Sequence, residues 1–288
     1  MLIIIDKFFA LLLKNLYNYG MPELPEVETT VRELKEKIIG RKILRVWTDA
    51  EKLFKPNFLA FKKGVVGQTI KAISRRGKNI ILKLDSGSYF LVHQKLTGSL
   101  LCGAEIKNPY IHLILYLDKG KLALSDLRKF AKVAFIPDLE NYLDYKNLGP
   151  EPLSRKFGLE KFEEILKKSK GKIKKALMDQ QKIVGIGNIY SDEILFEAGI
   201  SPLRETQKLK AKETKILYSA IKEILTKAIK AKGTSVSDYR RPSGKEGGFQ
   251  KFLKVYRRAG KPCPRCGTKI QRFKFGGRSA HFCPKCQK

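Results

Sequence analysis

Acidic residues are scarce in this chain. Its 288 residues include 28 Asp and Glu against 59 Lys and Arg, a formal net charge of +31. Because the positive charge is spread along the sequence, we expect a polyanionic partner, most naturally duplex DNA. A lysine-rich composition from an AT-rich genome also raises the charge. Arginine, however, binds phosphate oxygens better than lysine, because its planar guanidinium can donate two hydrogen bonds at once. The arginines near the carboxyl end are Arg257, Arg258, Arg265, Arg272 and Arg278.

Long apolar runs are also missing. The apolar segment at residues 1–20 is interrupted by Asp6, Lys7 and Lys14. It is therefore too short for the roughly 18 consecutive apolar residues that span a bilayer. It also lacks the small-residue cleavage site of a signal peptide. Met21 follows directly, and we interpret residues 1–20 as a non-native extension upstream of the true start. A membrane anchor is the alternative.

Cysteine is rare, and four of the five cysteines form one pattern, C-x2-C, sixteen residues, C-x2-C. Paired thiolates at this spacing reach one metal, so Cys263, Cys266, Cys283 and Cys286 are predicted to bind one structural Zn²⁺. With four protein ligands no position is left open for water, and the metal replaces a core that so short a segment lacks. Two disulfides are the alternative. Cys102 is expected to be a small buried hydrophobe.

The segment after Met21 predicts a helix. Pro25 suits the first helical position, and Glu26 and Glu28 suit the positive end of the helix dipole. Apolar residues then recur at spacings of four, three and four, which places them on one face. These residues are Val27, Val31, Leu34 and Ile38.

Short apolar segments joined by turns predict strands in the first half of the chain. The predicted strands are 79–84, 89–92, 111–117, 121–125 and 133–136. Strands at this spacing favour a β-sandwich with a helix laid against it.

The sequence changes in character at residues 148–152, where two prolines and a glycine predict a linker. Helical patterns follow. Between them, a glycine-bearing turn at 184–190 leads into a predicted helix at 191–198. Its N–H groups lie where a phosphate oxygen can bind, and a simple tight turn is the alternative. Residues 233–249 are too long for an ordinary connector and predict a mobile or functional loop. A hairpin with Arg278 at its tip is predicted between the cysteine pairs.

Four separated motifs carry a resemblance to a known family. They are PELPEVET after Met21, RRGKNIIL at 75–82, GIGNIYSDE at 185–193, and the cysteine pattern with R-x-x-x-F-C. In this order they resemble formamidopyrimidine-DNA glycosylase over residues 21–288. The related endonuclease VIII group usually opens PEGPE, so Leu24 favours the first group.

The resemblance implies an α+β multidomain fold. The expected parts are the extension at 1–20, a catalytic β-sandwich domain at 21–150, a helix-two-turn-helix domain with a lesion loop at 151–248, and a four-cysteine zinc finger at 249–288. DNA lies in the cleft between them. We expect a bacterial monomer without a stable protein partner, located in the cytoplasm at the nucleoid.

The resemblance also implies an activity on damaged double-stranded DNA. A bifunctional glycosylase and AP lyase of base excision repair removes oxidised purines, 8-oxoguanine and formamidopyrimidines, and then cleaves the strand. After removal of Met21, the α-amine of Pro22, which titrates at about pH 8, attacks the sugar C1′ and forms an iminium for β,δ-elimination. Glu23 matches the family's acid, and Lys78 matches its lysine that contacts the phosphate near the lesion.

Further positions match phosphate contacts of the family. They are His93, Asn188 and Arg278. His93 is one of only three histidines, and a partly buried strand residue is its simpler interpretation. For Lys78 the simpler interpretation is a surface lysine before a strand.

Extrusion of a base leaves a hole in the duplex, and three residues match those that fill it in the family. They are Leu96, Arg128 and Phe130. Leu96 replaces the usual methionine and remains an apolar wedge. Leu127 and Lys129 replace the common proline and arginine, and proline would have fixed the shape of this loop.

Two other functions are compatible with the sequence. If residues 1–20 are retained, the nitrogen of Pro22 is an amide, and the chain is a non-enzymatic zinc-ribbon DNA-binding protein. The third hypothesis is a membrane-tethered version of the glycosylase or of the DNA-binding protein. The mass of the mature amino terminus separates these hypotheses.

Overall fold

The structure, a computed structural model, describes residues 21–236 and 238–288. The predicted extension at 1–20 therefore lies outside the described residues. Within the described part of the chain, no helix is long and apolar enough to cross a membrane.

The first half forms two stacked sheets, which confirms the predicted β-sandwich. Its strands are β1 (Ile43–Thr48), β2 (Phe54–Lys55), β3 (Ile70–Arg76), β4 (Asn79–Leu84), β5 (Tyr89–His93), β6 (Gly98–Gly103), β7 (Ile111–Leu117), β8 (Lys121–Asp126) and β9 (Lys132–Ile136). One sheet has the order β1-β7-β8-β6 and is antiparallel. The other has the order β2-β9-β5-β4-β3, in which only β2 and β9 are parallel.

Helix α1 (Leu24–Ile38) joins the two halves of the molecule. Its predicted apolar face, from Val27 to Ile38, is buried in the sandwich core, which also receives Phe61 from α2 (Phe58–Val65). Leu24, in the first turn of α1, packs instead into the core of the helical half. The amino end of α1 therefore lies at the junction of the two cores.

The second half is mainly helical, as predicted. Its helices are α3 (Leu143–Lys146), α4 (Leu159–Lys168), α5 (Ile173–Met178), α6 (Asn188–Ala198) and α7 (Ala211–Lys230). The predicted start of α6 at residue 191 is wrong. The helix begins at Asn188, because Gly187 is its N-cap and accepts the first helical hydrogen bond from Ser191 N at 3.1 Å.

The carboxyl end is a two-stranded ribbon formed by β10 (Gln271–Phe275) and β11 (Arg278–Phe282). Gly276 and Gly277 have φ of 49° and 77°. This left-handed conformation suits a two-residue hairpin turn and favours glycine at both positions. The ribbon is fixed to α6 by Asp192, whose carboxylate accepts both His281 N and His281 Nδ1 at 3.0 Å.

The predicted loop at 233–249 has no helix or strand before Phe249 in its described residues, and it is docked rather than free. Arg241 donates to the Glu33 carboxylate at 2.6 Å, and Cys102 N donates to Pro242 O at 2.9 Å. The loop therefore contacts both α1 and the edge strand β6.

Candidate active site and DNA-binding face

The carboxylate of Glu23 is bound by the start of helix α6. Its oxygens accept hydrogen bonds from Gly187 N at 2.6 Å, Ile189 N at 2.8 Å and Tyr190 N at 3.3 Å. The sequence predicted that the N–H groups of this turn bind a phosphate oxygen. That prediction is wrong for these three groups, since a carboxylate of the chain itself occupies the helix terminus, where anions are stabilised.

Lys78 faces Glu23 across Gly187. Lys78 lies in the two-residue turn between β3 and β4, which it shares with Gly77 at φ 58°. A Cβ added to Gly187 would lie 2.5 Å from Glu23 Cδ and 2.8 Å from Lys78 Nζ. Only a residue without a side chain lets the carboxyl and the amine approach each other here.

Burial shifts both groups toward their neutral forms. Glu23 is 2% exposed, and this burial raises its pKa, while the Lys78 charge and the N–H groups of α6 oppose the rise. Burial lowers the pKa of Lys78; the Glu23 carboxylate opposes this, and the Arg278 guanidinium adds to it. A raised pKa increases the fraction of a carboxyl group that carries a donatable proton at a given pH.

The turn that carries Lys78 is clamped by Glu151, a residue of the predicted linker. Gly77 N donates to Glu151 Oε1 at 2.6 Å, and Arg75 Nη1 lies 2.7 Å from Glu151 Oε2. Arg75 Nε also donates to Glu28 on α1 at 2.9 Å. This clamp was not predicted from the sequence, because Glu151 is distant in the chain from its partners.

Glu26 is a second buried acid, and from the sequence we interpreted it only as a partner of the helix dipole. It is 1% exposed and accepts hydrogen bonds from Glu23 N at 2.8 Å, Tyr190 OH at 2.5 Å and Thr234 N at 2.7 Å. Burial, and then the charge of Glu23, raise the pKa of Glu26 to about 7. The E-x-x-E spacing of a capping box was the available signal. Pro22, directly before Glu23, is buried at the same junction.

His93, at the end of β5, is held as a neutral imidazole. Burial, and then the charges of Lys95 and Lys78, lower the pKa of His93 to about 3. Its Nδ1 accepts a hydrogen bond from Lys95 N at 3.0 Å, which assigns the proton to Nε2. That N–H is a donor of the kind that binds a phosphate oxygen.

The other two predicted phosphate contacts, Asn188 and Arg278, lie near Gly187 and Lys78. Asn188 is the first residue of α6, next to Gly187, and is half-buried. Arg278 is exposed at the start of β11, and its charge acts on the amines of half-buried Lys78 and buried Lys174. Their contacts with DNA stay predictions.

The loop with the predicted wedge residues is organised by Asp126. Its carboxylate accepts Phe130 N and Ala131 N at 2.7 Å each, and also the Thr97 hydroxyl. Arg128 N in turn lies 3.2 Å from Thr97 Oγ1. The loop is thus shaped by one buried carboxylate in place of the missing proline, and it is tied to the segment that carries Leu96.

The side chains of the predicted wedge residues lie at the surface, next to Asp126. Phe130 is 48% exposed, and the Arg128 guanidinium carbon lies 4.7 Å above its ring centroid. Leu96 is half-buried, and Lys129 Nζ lies 3.1 Å from Asp49. The structure therefore brings the predicted set together, and its role in filling a duplex stays a prediction.

The four cysteines of the pattern form one cluster. Their Sγ atoms all lie within 4.8 Å of one another, with Cys263 and Cys286 at 3.9 Å and Cys266 and Cys283 at 3.5 Å. A tetrahedron with Zn–S bonds of about 2.3 Å has edges of about 3.8 Å, so the cluster fits one zinc. All five cysteines are free thiols in the described chain, so the disulfide alternative is wrong. Cys102 is half-buried, and burial raises its pKa.

Three family models match the chain in sequence order. Residues 21–133 match the formamidopyrimidine-DNA glycosylase N-terminal domain, and residues 148–240 match its H2TH domain. Residues 260–288 match the zinc finger found in FPG and IleRS.

Curated relatives match over nearly their whole length. The formamidopyrimidine-DNA glycosylase of Pelotomaculum thermopropionicum is 40% identical over 274 residues, which cover 93% of this chain and 99% of that protein. The enzyme of the same name from Streptococcus mutans is 40% identical over 273 residues, which cover 93% of this chain and 100% of that protein.

Solved structures of proteins with the same name also match this chain. Lactococcus lactis Fpg bound to abasic-site DNA has a TM-score of 0.86 at 38% identity, with 92% of this chain and 99% of that chain covered. A mutant of the same protein bound to Fapy-dG DNA has a TM-score of 0.87 at 38% identity, with 93% and 100% covered. MutM (Fpg) of Thermus thermophilus has a TM-score of 0.85 at 36% identity, with 92% and 98% covered.

Proposed function

Because this chain belongs to the formamidopyrimidine-DNA glycosylase family, and is thus a DNA glycosylase of base excision repair, we propose that it excises oxidised purines from duplex DNA and then cleaves the abasic strand. The lesions are 8-oxoguanine and formamidopyrimidines. We further propose that it acts in the bacterial cytoplasm, at the nucleoid, where chromosomal DNA is found.

The proposed nucleophile is the amine of Pro22, freed when the chain begins at that residue. Its lone pair forms a bond to C1′ of the sugar, and the damaged base leaves with the electron pair of its bond to C1′ and takes up the proton that the nitrogen gives up. The bond from C1′ to O4′ then opens, and O4′ takes a proton, which leaves an iminium between C1′ and the proline nitrogen. Loss of a C2′ proton expels the 3′ phosphate, and a second elimination expels the 5′ phosphate.

Glu23 is the proposed source of the proton for O4′. Its carboxyl is adjacent to Pro22 in sequence, buried, and raised in pKa. The N–H groups of α6 fix it in place before and after proton transfer. Lys78, across Gly187, supplies a positive charge for the phosphate next to the lesion.

The remaining predicted residues hold the deformed duplex in this proposal. His93, Asn188 and Arg278 donate to phosphates around the extruded nucleotide, which fixes register without reading sequence. Leu96, Arg128 and Phe130 occupy the vacated stack. The zinc site folds the ribbon that carries Arg278, and no chemical step passes through the metal.

The proposal rests most directly on one observation. The acid next to Pro22 lies against Lys78 at the junction of the two cores, with no side chain between them at Gly187.

The test is borohydride trapping. Protein that begins at Pro22 is expected to form an iminium with lesion-bearing DNA, which borohydride reduces to a stable cross-link. The matched control is the unprocessed 288-residue chain, whose proline nitrogen is an amide with a delocalised lone pair. It is expected to bind the same DNA without cross-linking. Equal cross-linking by both proteins would show that another amine, Lys78 first, is the nucleophile.

A further inference from the structure

We propose that Tyr190 is a positioning residue that couples the loop at 233–249 to the acid Glu23. This inference rests on the function proposed above and adds a residue to it. Tyr190 is completely buried, so it contacts neither the DNA backbone nor solvent directly.

Tyr190 contacts both buried acids at the start of α1 at once. Its main-chain N–H donates to Glu23 Oε2 at 3.3 Å, and its hydroxyl donates to Glu26 Oε1 at 2.5 Å. Glu26 Oε2 in turn accepts Glu23 N at 2.8 Å. Tyr190 therefore holds Glu23 in place in two ways, through its own N–H group and through Glu26.

The Tyr190 hydroxyl also contacts Thr234, near the start of the loop at 233–249. Thr234 Oγ1 lies 2.9 Å from Tyr190 OH, and Thr234 N donates to Glu26 Oε1 at 2.7 Å. A Cβ on Gly233 would lie 2.9 Å from the same Glu26 oxygen, so there is little free space at this contact. Any displacement of Thr234 must shift Glu26, Tyr190 or both.

The contribution of the Tyr190 hydroxyl depends on the substrate. The family resemblance implies that this loop is the lesion loop, so we expect it to contact the damaged base during excision, and the arrangement of Thr234 then matters for how Glu23 meets the sugar. A preformed abasic site has no base to contact the loop. The Tyr190 hydroxyl is therefore expected to matter more for excision than for cleavage of abasic DNA.

The experiment compares Tyr190→Phe with the parent protein, both beginning at Pro22. Removal of the hydroxyl leaves the ring and the N–H contact to Glu23, and it deletes the hydrogen bonds to Glu26 and to Thr234. We expect single-turnover excision of 8-oxoguanine to fall about tenfold or more. Cleavage of a preformed abasic duplex should change by less than about threefold. Thr234→Val, which replaces only the hydroxyl with a methyl group, should shift the same ratio in the same direction by a smaller factor.

The matched control is Tyr218→Phe. Its hydroxyl donates to Phe157 O at 2.7 Å in the helical core, away from the acids. This variant should retain the parent ratio of the two rates. Equal losses of both activities in Tyr190→Phe would indicate a general structural role and overturn the inference, as would unchanged excision. Failure of the parent protein itself to excise and cross-link would refute the proposed function instead.

Discussion

Gly187→Ala is the most informative single substitution in the candidate site. The added Cβ would lie 2.5 Å from Glu23 Cδ, 2.6 Å from Glu23 Oε1 and 2.8 Å from Lys78 Nζ. Gly187 has φ −132°, outside the left-handed region, so the effect of alanine tests packing rather than backbone strain. Because Glu23 is buried, the carboxyl must move away from the start of α6 to make room.

The magnitude follows from the hydrogen bonds that Glu23 would lose. Three N–H groups donate to it, at 2.6, 2.8 and 3.3 Å. Loss of one hydrogen bond to a charged group costs about 1.5–3 kcal/mol. If that stabilisation acts in the transition state, the rate of excision falls about 10- to 150-fold per lost bond.

The assay is single-turnover excision of 8-oxoguanine at saturating protein, together with the Kd for lesion duplex and the Tm. We expect slower excision with an affinity close to that of the parent. Gly158→Ala is the control, because nothing lies within 4 Å of its added Cβ. Excision at the parent rate by Gly187→Ala would refute the assigned role of the Glu23 contacts.

Three further substitutions test the parts that surround this site. Cys266→Ser should release zinc, unfold the ribbon and abolish DNA binding, because structural zinc supplies on the order of 10 kcal/mol of folding free energy; normal binding without metal would contradict this. Arg278→Ala should weaken binding to all duplexes alike and lower the slope of log K against log salt by about one, measured by titration at several salt concentrations. Loss confined to one flanking sequence would reveal a base contact instead. Leu96→Ala should slow single-turnover excision more than it weakens duplex affinity, and unchanged excision would rule out a wedge.

Strands with unbroken apolar segments were mostly predictable from the sequence, even β7 with its register shift near Ile111, and strands with irregular alternation were not. The segments 79–84 and 111–117 coincide with β4 and β7. In contrast, β1 and β3 were missed, since each alternates irregularly between buried and exposed residues and has a shift in register to its neighbour, near Ile43 and Ile70. A bulge reverses the phase of the side chains, so the period of two on which the prediction depends is lost.

The residues of the candidate site also divide into those that were predictable from the sequence and those that were not. Glu23, Lys78 and the cysteines lie in short motifs, so their types and spacing were enough to select them. Glu26 and Tyr190 are 164 residues apart in the chain, and Gly77 and Glu151 are 74 apart. No local pattern shows that such groups are buried together. The N–H groups of the 184–190 turn were assigned to phosphate for the same reason, because only the folded chain shows that Glu23 reaches them first.

The central claim is that the nitrogen of Pro22 is the nucleophile. The most direct measurement is peptide mapping by mass spectrometry of the borohydride-reduced adduct formed by protein that begins at Pro22. We expect the sugar remnant to be attached to the amino-terminal peptide, at the proline nitrogen. A remnant on the peptide that contains Lys78, with an unmodified amino terminus, would contradict the claim.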